Sequence, residues 1–138
     1  MSAQGDGTSS LSSITGIRTV VVPVTDMDQA VAFWTDALGF EVQMDSTFGE
    51  DQRWVEIAAR DAGTGATTIG LTSGGGLSTG VNTGIRLTTD DAAAAWTVLA
   101  DLGVDVDDLL ALPGTPPMFT FRDGDGNELV VVEVPSAL

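Results

Sequence analysis

The chain has no cysteine and no histidine among its 138 residues. Without cysteine there is neither a disulfide framework nor a thiolate nucleophile, and the redox compartment is left open. Without histidine, no Ser-His-Asp or Cys-His catalytic arrangement exists, and an imidazole-bound metal is excluded. Long apolar runs are also missing. No segment approaches the roughly 20 apolar residues of a membrane span. The opening MSAQGDGTSSLSS has neither the basic start nor the apolar stretch of a secretory signal. A cytoplasmic protein with a disordered tail over 1–14 is expected. Positive charge is scarce: five arginines and no lysine stand against 20 carboxylates, a net charge of −15. Such a field repels phosphate backbones and anionic lipid, so nucleic acid and membrane are poor partners. The same field draws in a cationic ligand, and it equally serves solubility or a salty cytoplasm. Charge alone leaves these readings open. The triple glycine at 74–76 lacks the lysine and following helix of a phosphate loop.

What is present is a pattern that occurs twice. Ile17 to Val24 is β-branched and continuous, as in a strand buried on at least one face. Asp26 then precedes a run with Ala30, Val31, Trp34 and Leu38 on one stripe, and Gln29 completes an Asp-x-x-Gln start. Gly39 is the stop. Phe40 to Ser46, Arg53 to Ala59 and Thr67 to Thr72 follow as strands between Gly, Asp and Thr clusters. After a small, polar linker, SGGGLSTG, the order repeats. Thr83 to Thr88 is a strand, and Asp90 precedes a helix with Ala95, Val98, Leu99 and Leu102 at helical spacing. Gly103 ends that helix. Val104 to Leu110, Met118 to Arg122 and Leu129 to Val134 are the remaining strands, with 123–127 as a turn. Asp26 and Gly39 recur as Asp90 and Gly103, and GFEV recurs as GVDV, all at an offset of 64 positions. The expected fold is α+β, two βαβββ repeats in one domain over 15–135. The first module covers 15–73, the linker 74–80 and the second module 81–135. One face of each small sheet is covered by its helix and the other is open, which predicts a binding cleft between curved mixed sheets.

Two stretches carry a family resemblance. VPVTDMDQAVAFWTDALGFEV at 22–42 and PPMFTFRDGDGNELVVVE at 116–133 resemble two signatures of the vicinal oxygen chelate superfamily. That superfamily groups glyoxalase I, bleomycin-resistance proteins, fosfomycin-resistance enzymes and extradiol dioxygenases. Gly124 stands where the family usually has proline. The resemblance implies a glyoxalase/bleomycin-resistance-type fold, a homodimer, and in the family's enzymes one divalent metal held by His or Gln and Glu. Carried onto this chain, those ligand positions fall on Thr19, Gly70, Thr83 and Val130. Two hydroxyls, a glycine and a valine do not offset the cost of stripping water from a divalent ion, so no metal and no other cofactor is expected.

Residue by residue, Trp34 lies on the buried stripe of its helix and reads as core. Trp54 and Glu56 alternate with Val55 and Ile57, which turns both toward the open face. There the indole is available to a planar or cationic ligand, and packing in the core or a dimer interface is the competing reading. Glu56 is also the candidate general base, since burial raises a carboxyl pKa. A carboxylate-only Mg²⁺ or Mn²⁺ site from Glu41, Glu56 and Glu128 is the remaining metal alternative. Trp96 falls off the apolar stripe of its helix, so partial exposure or an oligomer contact is expected. Met118, Thr120 and Arg122 share one strand face, and Phe119 and Phe121 the other. Arg122 either anchors a substrate carboxylate or pairs with Asp123 or Asp125. The expected lining is thus Thr19, Trp54, Glu56, Thr83, Met118 and Val130. The leading function is metal-free sequestration of a planar or cationic small molecule. The alternative is an enzyme, a lyase, isomerase or dioxygenase-like protein, with an atypical or carboxylate-only site.

Overall fold

The computed structural model describes residues 11–50 and 52–135. Most of the expected tail, residues 1–10, lies outside them; residues 11–14 are exposed and belong to no helix or strand. The first half runs β1 (Thr19–Pro23), α1 (Met27–Ala32), β2 (Phe40–Phe48), β3 (Gln52–Ala59) and β4 (Thr68–Thr72). The second half runs β5 (Asn82–Thr89), α2 (Ala92–Asp101), β6 (Asp105–Val106), β7 (Met118–Arg122) and β8 (Glu128–Glu133). The strands form two separate four-stranded sheets, ordered β1-β4-β3-β2 and β5-β8-β7-β6. In each, the first strand lies parallel to the last strand of its half and the remaining pairs are antiparallel. This is the α+β, twice-repeated βαβββ architecture that the pattern predicts.

The helices start on aspartates, with one departure from the repeat. Asp26 caps α1 by accepting from the Gln29 amide at 3.1 Å, whereas α2 is capped by Asp91, not Asp90, through the Ala94 amide at 3.0 Å. Both helical segments still lead into glycines at positive φ, Gly39 at 74° and Gly103 at 83°. The first half therefore fits one more residue between cap and glycine than the second. A π-helical turn over Phe33–Ala37 absorbs it, since a π turn is a one-residue insertion into an α-helix.

A shared core joins the halves. Val22, Val55, Ile57, Ile69 and Leu71 from the first sheet meet Phe119, Phe121, Leu129 and Val131 from the second, with Trp34 and Leu99 from the helical segments. Trp34 is fully buried and meets Phe40 edge-on, ring centres 5.0 Å apart. Each large side chain buried this way stabilises the fold by about 1.5–3 kcal/mol. Trp96 is half-buried rather than free: its Nε1 donates to the Asp107 carbonyl at 2.8 Å. That bond holds the short β6 edge, where regular pairing ends well before the expected Leu110.

Asn127 is the tie between halves. Fully buried, it donates through Nδ2 to the Pro23 carbonyl at 2.8 Å and accepts at Oδ1 from the Gly80 and Val81 amides at 2.9 and 3.2 Å. Asp123 accepts from Asn127 in turn, and Asp125 accepts from the Thr25 amide at 3.2 Å. These aspartates are therefore engaged in the turn and in the join. Arg122 does not pair with them as expected; it pairs with Asp107, Asp105 and Glu128.

Because the helix-bearing faces of both sheets contribute to one core, the open faces lie on the far sides of the two sheets. The expected cleft between them is not closed within a single chain. A cavity of about 520 Å³ sits on the first sheet's open face and takes its lining from the first half.

Candidate functional site

Strand alternation builds the site. On β3, Val55 and Ile57 enter the core, so Trp54, Glu56 and Ala58 face outward. The register sets Glu56 between Met44 on β2 and Gly70 on β4. A β-bulge between Val42 and Met44 leaves Gln43 unpaired and turns it into the cavity wall, with Met44, Ala58, Arg18 and Thr68.

Glu56 is the chemical centre of this face. It is only 5% exposed, yet both carboxylate oxygens are served. Oε2 accepts from Trp54 Nε1 at 2.8 Å and Oε1 from the Thr68 hydroxyl at 3.0 Å. Arg18 reaches Oε2 at 3.5 Å. The Trp54 indole N–H beside it, more than any other group, holds the Glu56 carboxyl below its ordinary value of 4.5; burial pushes the other way, and Thr68 and Arg18 add to the lowering. Burial does not raise this pKa, contrary to the sequence expectation, because the hydrogen bonds to the charged form outweigh desolvation. At neutral pH Glu56 is a fixed carboxylate.

The indole that secures it reaches over Gly70, where the neighbouring strand offers no side chain. A Cβ placed on Gly70 falls 2.7 Å from two ring carbons of Trp54 and 3.0 Å from the Thr19 hydroxyl. Trp54 is half-buried and sits behind Glu56; it and Thr19 do not line the cavity. The Thr19 hydroxyl donates to the Thr68 carbonyl at 3.2 Å.

The other expected site residues are on the second sheet. Val130 is flanked by Thr120 and Arg86, and Met118 by Val132, while Arg86 reaches the Met118 sulfur at 3.8 Å. The Thr83 hydroxyl donates to the Glu128 carbonyl at 2.7 Å and accepts from the Ile85 amide at 3.1 Å. It is occupied in strand bonding. Thr19, Trp54 and Glu56 are thus brought together, Met118 and Val130 form a second patch, and one chain does not unite the two groups. Arg122 carries three carboxylates and is unavailable to a substrate anion. Sequence reasoning missed Arg18, Thr68 and Gln43. Sheet pairing brings Thr68 to Glu56, Arg18 reaches it from the irregular segment ahead of β1, and the bulge turns Gln43 into the same cavity wall.

The match to known proteins agrees with this architecture. The model of the Glyoxalase/Bleomycin resistance protein/Dioxygenase superfamily matches residues 16–131. The chain belongs to that superfamily. Among solved structures, it is similar to TnmS3, an antibiotic-binding protein from Streptomyces sp. CB03234. The identity is 28%, the TM-score 0.77, and the match covers 91% of this chain and 99% of that one. A superfamily member from Sphaerobacter thermophilus is 26% identical with a TM-score of 0.74, covering 88% and 98% respectively. A curated relative, the uncharacterized protein YetH of Bacillus subtilis, is 40% identical over 48 residues, 35% of this chain and 40% of its own length.

The superfamily's enzymes imply a divalent metal, which needs charged or strongly donating ligands. Of the four carried-over positions, Thr19 and Thr83 have their hydroxyls in backbone hydrogen bonds, Val130 has no donor, and the space beside Gly70 is filled by the Trp54 ring. The carboxylate alternative is not assembled either, because Glu128 lies on the second sheet against Arg122. Among the described residues, no group of three or more acidic side chains is placed to hold a metal ion. These residues do not fit the superfamily's divalent metal. No helix of the described residues is long and apolar enough to cross a membrane.

Proposed function

We propose that this protein binds a small planar or cationic molecule on the open face of its first sheet, without a metal, and that it does so as a homodimer. The observation that carries the reading is Glu56, a carboxylate buried at the edge of a cavity of about 520 Å³. It is kept ionised by Trp54 and Thr68. A buried negative charge with spare acceptor capacity favours a ligand that brings hydrogen-bond donors and positive charge. The cavity volume is that of a small-molecule site. Likeness to TnmS3 supports a binding role.

The same residue argues against one form of the enzymatic alternative, the one that uses Glu56 as general base. A general base works best with a pKa near the operating pH, and the Glu56 pKa is shifted the other way.

The separation of the two patches supports the dimer. Met118 and Val130 reach the Glu56 face only from a second copy. In that assembly the cytoplasmic protein encloses its ligand between first and second sheets of different copies.

A titration of intrinsic tryptophan fluorescence against a panel of planar and cationic antibiotics tests binding. Saturable quenching that disappears in Glu56→Gln is expected, and no response to any member of the panel contradicts the reading. Light scattering tests assembly: twice the chain mass is expected, and a monomer at binding concentrations contradicts it.

A further inference from the structure

The three contacts to Glu56 are unequal. Trp54 and Thr68 bond it at 2.8 and 3.0 Å from within the sheet. Arg18 stands 3.5 Å away, beyond the 2.7–2.9 Å of a well-formed charged pair. Its side chain is 73% exposed, while the Glu56 side chain it reaches is 7% exposed. The contrast with the other paired arginines is sharp. Arg53 is held by Asp28 and Asp45 at 2.6 and 2.8 Å, and Arg122 has three carboxylates at 3.0–3.5 Å. Among the described residues Arg18 has one carboxylate partner, loosely met; it stands just ahead of β1, and its backbone carbonyl accepts from the Thr68 amide at 3.0 Å. Its backbone is anchored and its exposed guanidinium lies at the cavity wall.

We propose that Arg18 is a built-in competitor for the cation site on Glu56. In the free protein its guanidinium occupies the place of the ligand's cationic group, and a planar amidinium or guanidinium displaces it into solvent. This rests on the binding function proposed above and adds to it both a cation class and a residue that sets the threshold for binding. The Arg18 guanidinium is already largely in solvent and returns to it while Glu56 stays buried under the incoming cation, so displacement costs little. A long contact of 3.5 Å whose cationic partner is screened by solvent contributes about 0.2–1 kcal/mol, which sets the expected effect at roughly a 1.5- to 5-fold change in affinity.

The test uses benzamidinium as probe and neutral benzamide as its uncharged counterpart, in 0.15 M salt. Binding is read from the Trp54 indole ¹H–¹⁵N resonance, assigned with Trp54→Phe. Arg18→Ala is expected to bind benzamidinium about 1.5- to 5-fold more tightly than the unaltered protein, with benzamide affinity unchanged. Arg60→Ala removes the same charge from an exposed position outside the cavity lining, and it is expected to leave benzamidinium affinity unchanged. An equal tightening in Arg60→Ala would mean that net charge acts, and overturns the proposal. Glu56-dependent binding that is unchanged or weakened in Arg18→Ala overturns the role of Arg18 and leaves the binding function standing. No movement of the indole resonance with benzamidinium in either protein removes the cation site on Glu56, and with it both readings.

Discussion

Replacing Gly70 with alanine is a direct probe of how the site is built. No positive φ requires glycine there, so the perturbation is steric. The added Cβ meets two Trp54 ring carbons at 2.7 Å, against the roughly 3.5–4.0 Å of ordinary carbon contacts. The indole must therefore lift by about 1 Å. Its 2.8 Å bond to Glu56 does not survive such a shift. A hydrogen bond to a charged group contributes about 1.5–3 kcal/mol, and reduced chain freedom in the unfolded state returns about 0.4–1 kcal/mol. The net expectation is destabilisation by about 1–2 kcal/mol, or a Tm lower by about 3–6 °C for a chain of this size. Thermal unfolding by circular dichroism measures it, while the Trp54 indole resonance reports the broken bond. In a Trp54→Phe background the smaller ring leaves room, and the Gly70→Ala cost should shrink by at least about half, a coupling that a double-mutant cycle reads. Gly63→Ala is the control, since a Cβ there meets nothing within 4 Å, and it should change stability by less than about 0.5 kcal/mol. An unchanged Tm and an unmoved indole resonance in Gly70→Ala would refute the placement of Trp54 over that glycine.

Three further outcomes are expected. Because the folded-state pKa of Glu56 is depressed, its contribution to stability is present above the unfolded value of 4.5 and is lost as pH falls through the folded value. Urea unfolding should therefore show the wild type above Glu56→Gln at pH 7 and the gap closing below pH 4.5; a gap that widens on acidification contradicts the shift. Asn127→Ala removes the bonds to Pro23, Gly80 and Val81 and should cost about 2–4 kcal/mol in urea unfolding; a loss under about 1 kcal/mol contradicts its bridging role. Asp91→Ala should cost about 1 kcal/mol as the loss of a helix cap, whereas Asp90→Ala should stay within about 0.5 kcal/mol. The reverse order would place the cap where the 64-residue repeat suggests.

The features legible in the sequence are those with local causes. Alternation on β3 separates Val55 and Ile57 from Trp54 and Glu56, and each sits on the expected face. The glycines at 39 and 103 end both helical segments because each takes a positive φ. The cap of α2 was misplaced by one residue because a sequence repeat carries no mark of a π turn, and the turn alters the count without altering the apolar stripe. Alternation predicts a raised Glu56 pKa, whereas the structure lowers it, since burial is visible in alternation but the donors are not. Thr68 and Arg18 arrive through β-register and an irregular segment. Asn127 looked like turn punctuation; its contact with Pro23 spans 104 positions. Of the six expected lining residues, Glu56 lines the cavity, Thr19 and Trp54 lie on the same sheet outside its lining, and Thr83, Met118 and Val130 are on the second sheet. The packing of both helix-bearing faces into one core, which keeps the halves of that list apart, is a tertiary fact with no local signal.

In the proposed function an ionised Glu56, and no divalent metal, holds the ligand. Calorimetric titration of benzamidinium into protein dialysed against a chelator tests it most directly. Saturable binding, unchanged on adding Mn²⁺ or Zn²⁺ and lost in Glu56→Gln, is predicted. Binding that appears only with added metal, or that persists in Glu56→Gln, would contradict it.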